Sequence, residues 1–140
     1  MKIKVLDAQA IGDYVPEDGS ICISIGERAL PKTRIPDRSY GAVLRLVFDD
    51  ISQERGGGWI LFDEQHARQI LGFVREHSDT PALIVQCTFG ESRSPGVALG
   101  IADALGLEVQ SLERRYPEYN RRVRAVLGRT ADRDRASHKE

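Results

Sequence analysis

Val85–Gly106, VQCTFGESRSPGVALGIADALG, begins as the end of an apolar strand and finishes as a helix. Between the two lie Cys87, the five residues Thr88 to Ser92, and then Arg93 and Ser94. Such a loop joins the carboxyl end of a strand to a helix start, where α/β proteins bind their ligands. Amides at a helix start are unpaired and carry positive partial charge. A short loop curling around them aims several N–H groups at one spot, an anion nest. Gly90 lets the backbone turn tightly, and Arg93 adds a planar fork of donors that matches two oxygens of a phosphate. The loop therefore suits a tetrahedral dianion. Cys87 lies at its floor, where the same amides and helix dipole favour a thiolate. A thiolate beneath a bound phosphate is an in-line nucleophile.

The flanking sequence supplies the frame for that loop. Lys2–Leu6 alternates polar and apolar residues, and Ile21–Ile25 and Ala42–Phe48 are further strand candidates. Ala82–Val85 is an unbroken apolar run, as a buried parallel strand requires. Ala67, Ile70, Leu71 and Val74 make one apolar stripe on a helix that Asp63 can cap and that ends near His77. The helix after Arg93 places Val97, Ile101, Ala104 and Leu105 inward, with Pro95 in its first turn and Gly106 at its end. Pro117–Leu127 is expected to form a last helix. Strand, helix, strand, helix from Ala42 to Leu105 is a βαβα pattern. The expected fold is α/β: a single domain with a central, mostly parallel sheet, helices on both faces, and the Cys87–Arg93 loop between a central strand and a helix. The domain is expected over 1–128, with 129–140 a flexible charged tail. Gly26–Gly41, with two prolines and mixed charge, reads as a long surface loop.

At 140 residues the chain has the size of one domain, and apolar residues make up 41% of it. Twenty Lys plus Arg against 21 Asp plus Glu leave a formal charge of -1, which argues against a nucleic-acid partner. No apolar run reaches membrane-spanning length, so no membrane partner is expected. The opening MKIKVLDAQ turns polar too early for a secretory signal, and a cytoplasmic location follows. Cys22 and Cys87 are expected to be reduced thiols, with Cys22 a small buried hydrophobe. His66, His77 and His138 are scattered without zinc-ligand spacing, so neither a metal nor another cofactor is expected.

CTFGESRS, Cys87–Ser94, matches the pattern C-x-x-G-x-x-R-[ST] and resembles the signature of the cysteine-dependent protein tyrosine and dual-specificity phosphatases. The chain is similar to a small, single-domain bacterial or phage-type member. The likeness is most specific over Ala82–Gly106 and extends loosely back to Ala42 and forward to PEYNRRV. The resemblance implies that Cys87 attacks phosphorus to form a phosphocysteine. Arg93 and the amides of Thr88, Phe89, Gly90, Glu91 and Ser92 then hold the phosphate oxygens. It also implies that Ser94 donates to the Cys87 sulfur and eases its departure. A general acid should protonate the leaving oxygen and afterwards act as base for water. The family carries that group as an aspartate after the preceding strand. Asp50 is preferred, since Asp49 directly follows the strand and can fold back to cap it; Asp63 fits a helix cap better. The implied partners are a phosphorylated protein or peptide and phosphate or another oxyanion.

One departure is Gln86, where the family has a histidine before the cysteine. Glutamine can hydrogen-bond but cannot carry positive charge, so a less activated thiolate and slower turnover are expected. Glu91 is expected to point outward. Two function classes follow: a phosphatase acting on phosphotyrosine, with phosphoserine and phosphothreonine also considered, and a catalytically weak phosphatase-like module that binds a phosphate or phosphoprotein. Arsenate reduction needs further cysteines and usually has its loop near the N-terminus. No Gly-Lys-Ser/Thr follows the loop, which excludes a Walker site, and Gly96, Gly100 and Gly106 do not form a dinucleotide fingerprint. Gly56–Gly58 reads as a turn, Trp59 as half-buried packing, and the pairs Arg114-Arg115 and Arg121-Arg122 as helix surface.

Overall fold

A computed structural model describes residues 1–28, 30–36 and 39–138. Positions 29, 37 and 38 of the expected surface loop and 139–140 of the expected tail lie outside the described residues. The strands are β1 (Lys2–Leu6), β2 (Ile21–Gly26), β3 (Ala42–Val47) and β4 (Ala82–Gln86). They lie in the order β1-β4-β2-β3, and every pairing is parallel. β4 sits inside the sheet with all five residues buried, which accounts for its unbroken apolar run. The expectation of a mostly parallel sheet is met by a wholly parallel one among the described residues.

The helices are α1 (Ala8–Asp13), α2 (Glu64–Glu76), α3 (Arg93–Leu105), α4 (Gln110–Arg115) and α5 (Arg121–His138). On one face α2, α3 and α5 close the main core, in which Ile23, Leu83 and Val85 meet Ile70, Val97, Ile101 and Leu127. On the other face Ile11 of α1 packs with Cys22, Ile84, Ile35 and Tyr40. Cys22 is fully buried there, as a small hydrophobe should be. The Tyr40 hydroxyl has no hydrogen-bond partner among the described residues. Burial, with smaller contributions from Cys22 and Tyr14, pushes its pKa up to about 12.

Asp63 caps α2, accepting from the amides of Gln65 (3.0 Å) and His66 (3.3 Å), while His66 Nδ1 accepts from the Asp63 amide. α3 is the central helix, buried from Arg93 to Ala102. Its Gly96 and Gly100 are the seat of α5. A Cβ at Gly100 would stand 2.5 Å from Leu127 Cδ1, and one at Gly96 would stand 2.8 Å from the Asn120 carbonyl. That close approach explains two glycines inside a helix, where each weakens helix formation.

The last helix differs from the sequence reading at both ends. It starts at Arg121 rather than Pro117, because Tyr119 turns back onto the Tyr116 carbonyl and Asn120 Oδ1 accepts from the Val123 amide at 3.0 Å. The expected tail from 129 is instead helical to His138. Thr130 and Ala131 are buried, continuing the stripe of Val123, Val126 and Leu127. The charges lie along the α2 side: Asp134 pairs with Arg75 (2.9 Å) and Arg68 (3.4 Å), and Arg133 with Glu64 (3.1 Å). Arg68, and then Arg133, hold the Glu64 carboxyl below its usual range. α1 and α4 had no counterpart in the sequence reading.

Candidate active site

The Cys87–Arg93 loop leaves β4 and enters α3 at the carboxyl end of the sheet. Cys87 is 2% exposed. Its Sγ receives the Gly90 amide at 3.3 Å and the Ser94 amide at 3.4 Å, and lies 3.0 Å from Ser94 Oγ. Two backbone amides thus point at the sulfur, and the Ser94 hydroxyl stands within hydrogen-bond reach of it. Gly90 has φ +67°, and a Cβ there would stand 3.0 Å from the Asp7 amide and 3.1 Å from the Leu6 carbonyl carbon. Both the turn and the close pass beneath β1 therefore require glycine. The Ala8 amide donates to the Thr88 carbonyl at 3.2 Å, so the start of α1 also braces the loop.

Arg93 is 3% exposed, and its guanidinium lies across the ends of β2 and β3. Nη1 donates to the Phe48 carbonyl (3.0 Å) and the Gly26 carbonyl (3.4 Å). Nη2 donates to Glu27 Oε1 (2.8 Å) and Thr88 Oγ1 (3.4 Å). Thr88 Oγ1 in turn donates to Glu27 Oε1 at 3.1 Å. The sequence reading did not single out Glu27. Its only signal there is its position directly after β2, on the same sheet edge as Cys87.

The two aspartates after β3 have different surroundings. Asp49 is 6% exposed. It accepts from the Ile60 amide (2.7 Å), its own amide donates to the Ile60 carbonyl (2.8 Å), and Arg28 Nε stands 3.6 Å away. Asp49 thus closes the segment 49–60 on itself. Asp50 is exposed and faces the Cys87–Arg93 loop: its Oδ1 accepts from Ser92 Oγ at 2.7 Å and from Asn120 Nδ2 at 2.9 Å. Asp63 serves as the α2 cap. The structure brings Cys87, Arg93, Ser94, Ser92 and Asp50 together, while the side chains of Phe89 (75% exposed) and Glu91 point outward.

Gln86 is fully buried beneath the loop. Its Oε1 accepts from Ser24 Oγ at 2.6 Å, its β2 partner in register, and its Nε2 donates to Thr33 Oγ1 at 3.3 Å. Its amide is a strut between β4, β2 and the segment after β2, with no hydrogen bond to the Cys87 sulfur. Glycines 56 to 58 all have positive φ and form the expected turn. Trp59 is 42% exposed beside the guanidinium groups of Arg28 (4.8 Å) and Arg55 (5.5 Å). A polar hollow of about 390 Å³ adjoins Asp50, walled by Arg55, Tyr119, Asn120 and Arg121. A larger apolar groove of about 550 Å³ lies between Leu71, Ile101, Leu105 and Ala131, with none of the loop residues in its wall. No group of metal-ligating side chains occurs among the described residues. No described helix is long and apolar enough to cross a membrane.

Human DUSP28 superposes on the chain with a TM-score of 0.63, at 18% identity over 96% of this chain and 94% of that one. The fold is that of a tyrosine or dual-specificity phosphatase. Tk-PTP, in its active form, has a TM-score of 0.61 at 14% identity, covering 95% of this chain and 93% of its own. No protein-family model and no curated protein sequence matches the chain. The likeness spans nearly the whole length of all three chains, so the three share one arrangement of sheet and helices.

Proposed function

We propose that this protein is a cysteine-dependent phosphatase that hydrolyses phosphotyrosine, and phosphoserine or phosphothreonine where the pocket admits them, on a protein or peptide in the cytoplasm. The observation that carries the reading is the convergence of the Gly90 amide, the Ser94 amide and Ser94 Oγ on Cys87 Sγ, with the Arg93 guanidinium on the same loop. In the first step Cys87 Sγ attacks phosphorus, and the bond from phosphorus to the substrate oxygen breaks. Asp50 gives its proton to that oxygen. The amides of Thr88 to Ser92 and the Arg93 guanidinium bear the charge on the equatorial oxygens. In the second step Asp50, now a carboxylate, takes a proton from water, whose oxygen attacks the phosphocysteine. Cys87 leaves as thiolate, with the Ser94 hydroxyl donating to it. No metal or other cofactor enters either step.

Glu27 favours a second reading. Its carboxylate already neutralises Arg93, and with Gln86 in place of a histidine it suits a module that binds a phosphate or phosphoprotein weakly and turns it over slowly. Turnover of an aryl phosphate and a phosphotyrosine peptide separates the two. The phosphatase reading expects turnover by the wild type, none by Cys87→Ser, and weakened binding and turnover by Arg93→Ala. Phosphate binding without turnover in the wild type supports the binding module. A folded protein that neither binds phosphate nor vanadate nor turns over these substrates contradicts both.

A further inference from the structure

We infer that Asn120 is a positioning residue that sets the general acid against the phosphate-binding loop; the inference rests on the assignment of Asp50 above. Asn120 is 8% exposed and every polar group it owns is committed. Its Oδ1 accepts from the Val123 amide at 3.0 Å, which caps α5 and fixes the orientation of the side-chain amide. Nδ2 then points the other way, to Asp50 Oδ1 at 2.9 Å and the Ile51 carbonyl at 3.3 Å. Its backbone amide donates to the Ser92 carbonyl at 2.9 Å, and its own carbonyl is seated over Gly96 of α3.

These bonds close a triangle of segments that are far apart in sequence. Asn120 holds Ser92 through the backbone, Ser92 Oγ donates to Asp50 Oδ1 at 2.7 Å, and Asn120 Nδ2 donates to the same oxygen. The chemistry requires an amide at 120. A cap needs an acceptor for Val123, whereas Asp50 and the Ile51 carbonyl both need a donor. Aspartate supplies only the first, and serine is too short to supply the second. Two donors on Oδ1 leave Oδ2 as the oxygen that carries the proton. That proton goes from Oδ2 to the leaving oxygen in the first step, and Oδ2 takes a proton from water in the second. Both donor bonds become charge-assisted as the carboxylate forms.

The test compares two substrates. Phenyl phosphate needs a proton on its leaving oxygen, whereas 2,4-dinitrophenyl phosphate releases a stable anion and does not. The readout is the ratio of kcat/KM on the first to kcat/KM on the second, which reports the transfer to Cys87 and not the later attack of water. Asn120→Ser keeps a hydroxyl acceptor for the Val123 amide and so spares the α5 cap. Its ratio should fall about tenfold, the effect of one charge-assisted hydrogen bond. Asp50→Asn should lower the ratio by about 10²-fold or more, and adding Asn120→Ser to it should lower the ratio no further. Asn120→Asp, isosteric and a strong cap, should lose the ratio like Asn120→Ser. An equal loss on both substrates in the position-120 variants, or a further fall in the double variant, overturns the inference and leaves the phosphatase reading standing. An unchanged ratio in Asp50→Asn removes the acid and the inference together, while dependence on Cys87 still judges the phosphatase reading separately.

Discussion

Replacing Glu27 with alanine tests what holds Arg93 in place. The pair is 2.8 Å long, with the Arg93 side chain 3% exposed and that of Glu27 30% exposed. Stripping a fully buried ion of its partner costs about 3–5 kcal/mol. Here two facts lower that figure. Water reaches the Glu27 side, and the guanidinium keeps the Phe48 carbonyl at 3.0 Å. A charge-assisted hydrogen bond in this setting is worth roughly 1.5 kcal/mol. The Thr88 hydroxyl also loses its acceptor, a further loss of about 0.5 kcal/mol. The expected destabilisation is thus about 2 kcal/mol, or roughly 6 °C in Tm for a domain of this size. Calorimetry with and without phosphate reads it. Without Glu27, bound phosphate becomes the guanidinium's carboxylate substitute, so saturating phosphate should raise the Tm of Glu27→Ala more than that of the wild type. Turnover should fall as the guanidinium loses its anchor, and Glu27→Gln, which keeps an acceptor, should recover part of both losses. A Glu27→Ala protein with wild-type Tm and wild-type turnover would refute the reasoning.

Gly90→Ala should destabilise by about 2–4 kcal/mol, from its left-handed backbone and from a Cβ pressed against the β1–α1 junction, and should abolish phosphate binding in a titration. Tyr40 has a folded pKa near 12 against about 10 when unfolded, so its contribution is fully present below pH 10 and is lost as pH rises toward 12. Denaturant midpoints should fall over that window in the wild type and fall less in Tyr40→Phe, which should also be about 1 kcal/mol more stable at neutral pH because a buried unpaired hydroxyl is gone. A chain ending at Gly128 should lose about 2 kcal/mol or more from uncovering Leu71, Val74 and Leu127, and the loss should change little with salt because the surface ion pairs contribute little.

The sequence exposes what is local. Cys87, Gly90, Arg93 and Ser94 lie on one contiguous strand–loop–helix, so their spacing is readable together, and the Gly90 and Ser94 amides both reach the Cys87 sulfur. β4 and the stripe of α2 are equally plain, because period and burial coincide. α1 and α4 are six residues each, too short for a periodic signal. Dense charge masks the helix in the tail, although Val123, Leu127, Thr130 and Ala131 continue one buried stripe through it. Glu27 and Asn120 carry no local mark at all. One sits in a segment that reads as surface loop and the other in what reads as the first turn of a helix. Only the sheet order β1-β4-β2-β3 brings the end of β2 beside Arg93, and only the packing of α5 on Gly96 and Gly100 brings Asn120 to Asp50. Gln86 likewise owes its partners, Ser24 and Thr33, to the fold and not to its neighbours in sequence.

Covalent participation of Cys87 is the centre of this account, and rapid acid quench during turnover of an aryl phosphate measures it directly. Peptide mass spectrometry of the quenched wild type should find phosphate on the peptide carrying Cys87, with more of it in Asp50→Asn when the leaving anion needs no proton, because water then lacks its base. The same peptide from Cys87→Ser should carry none, and that variant should not turn over. Turnover by the wild type with no phosphate on Cys87 at any quench time, together with turnover by Cys87→Ser, would contradict the account.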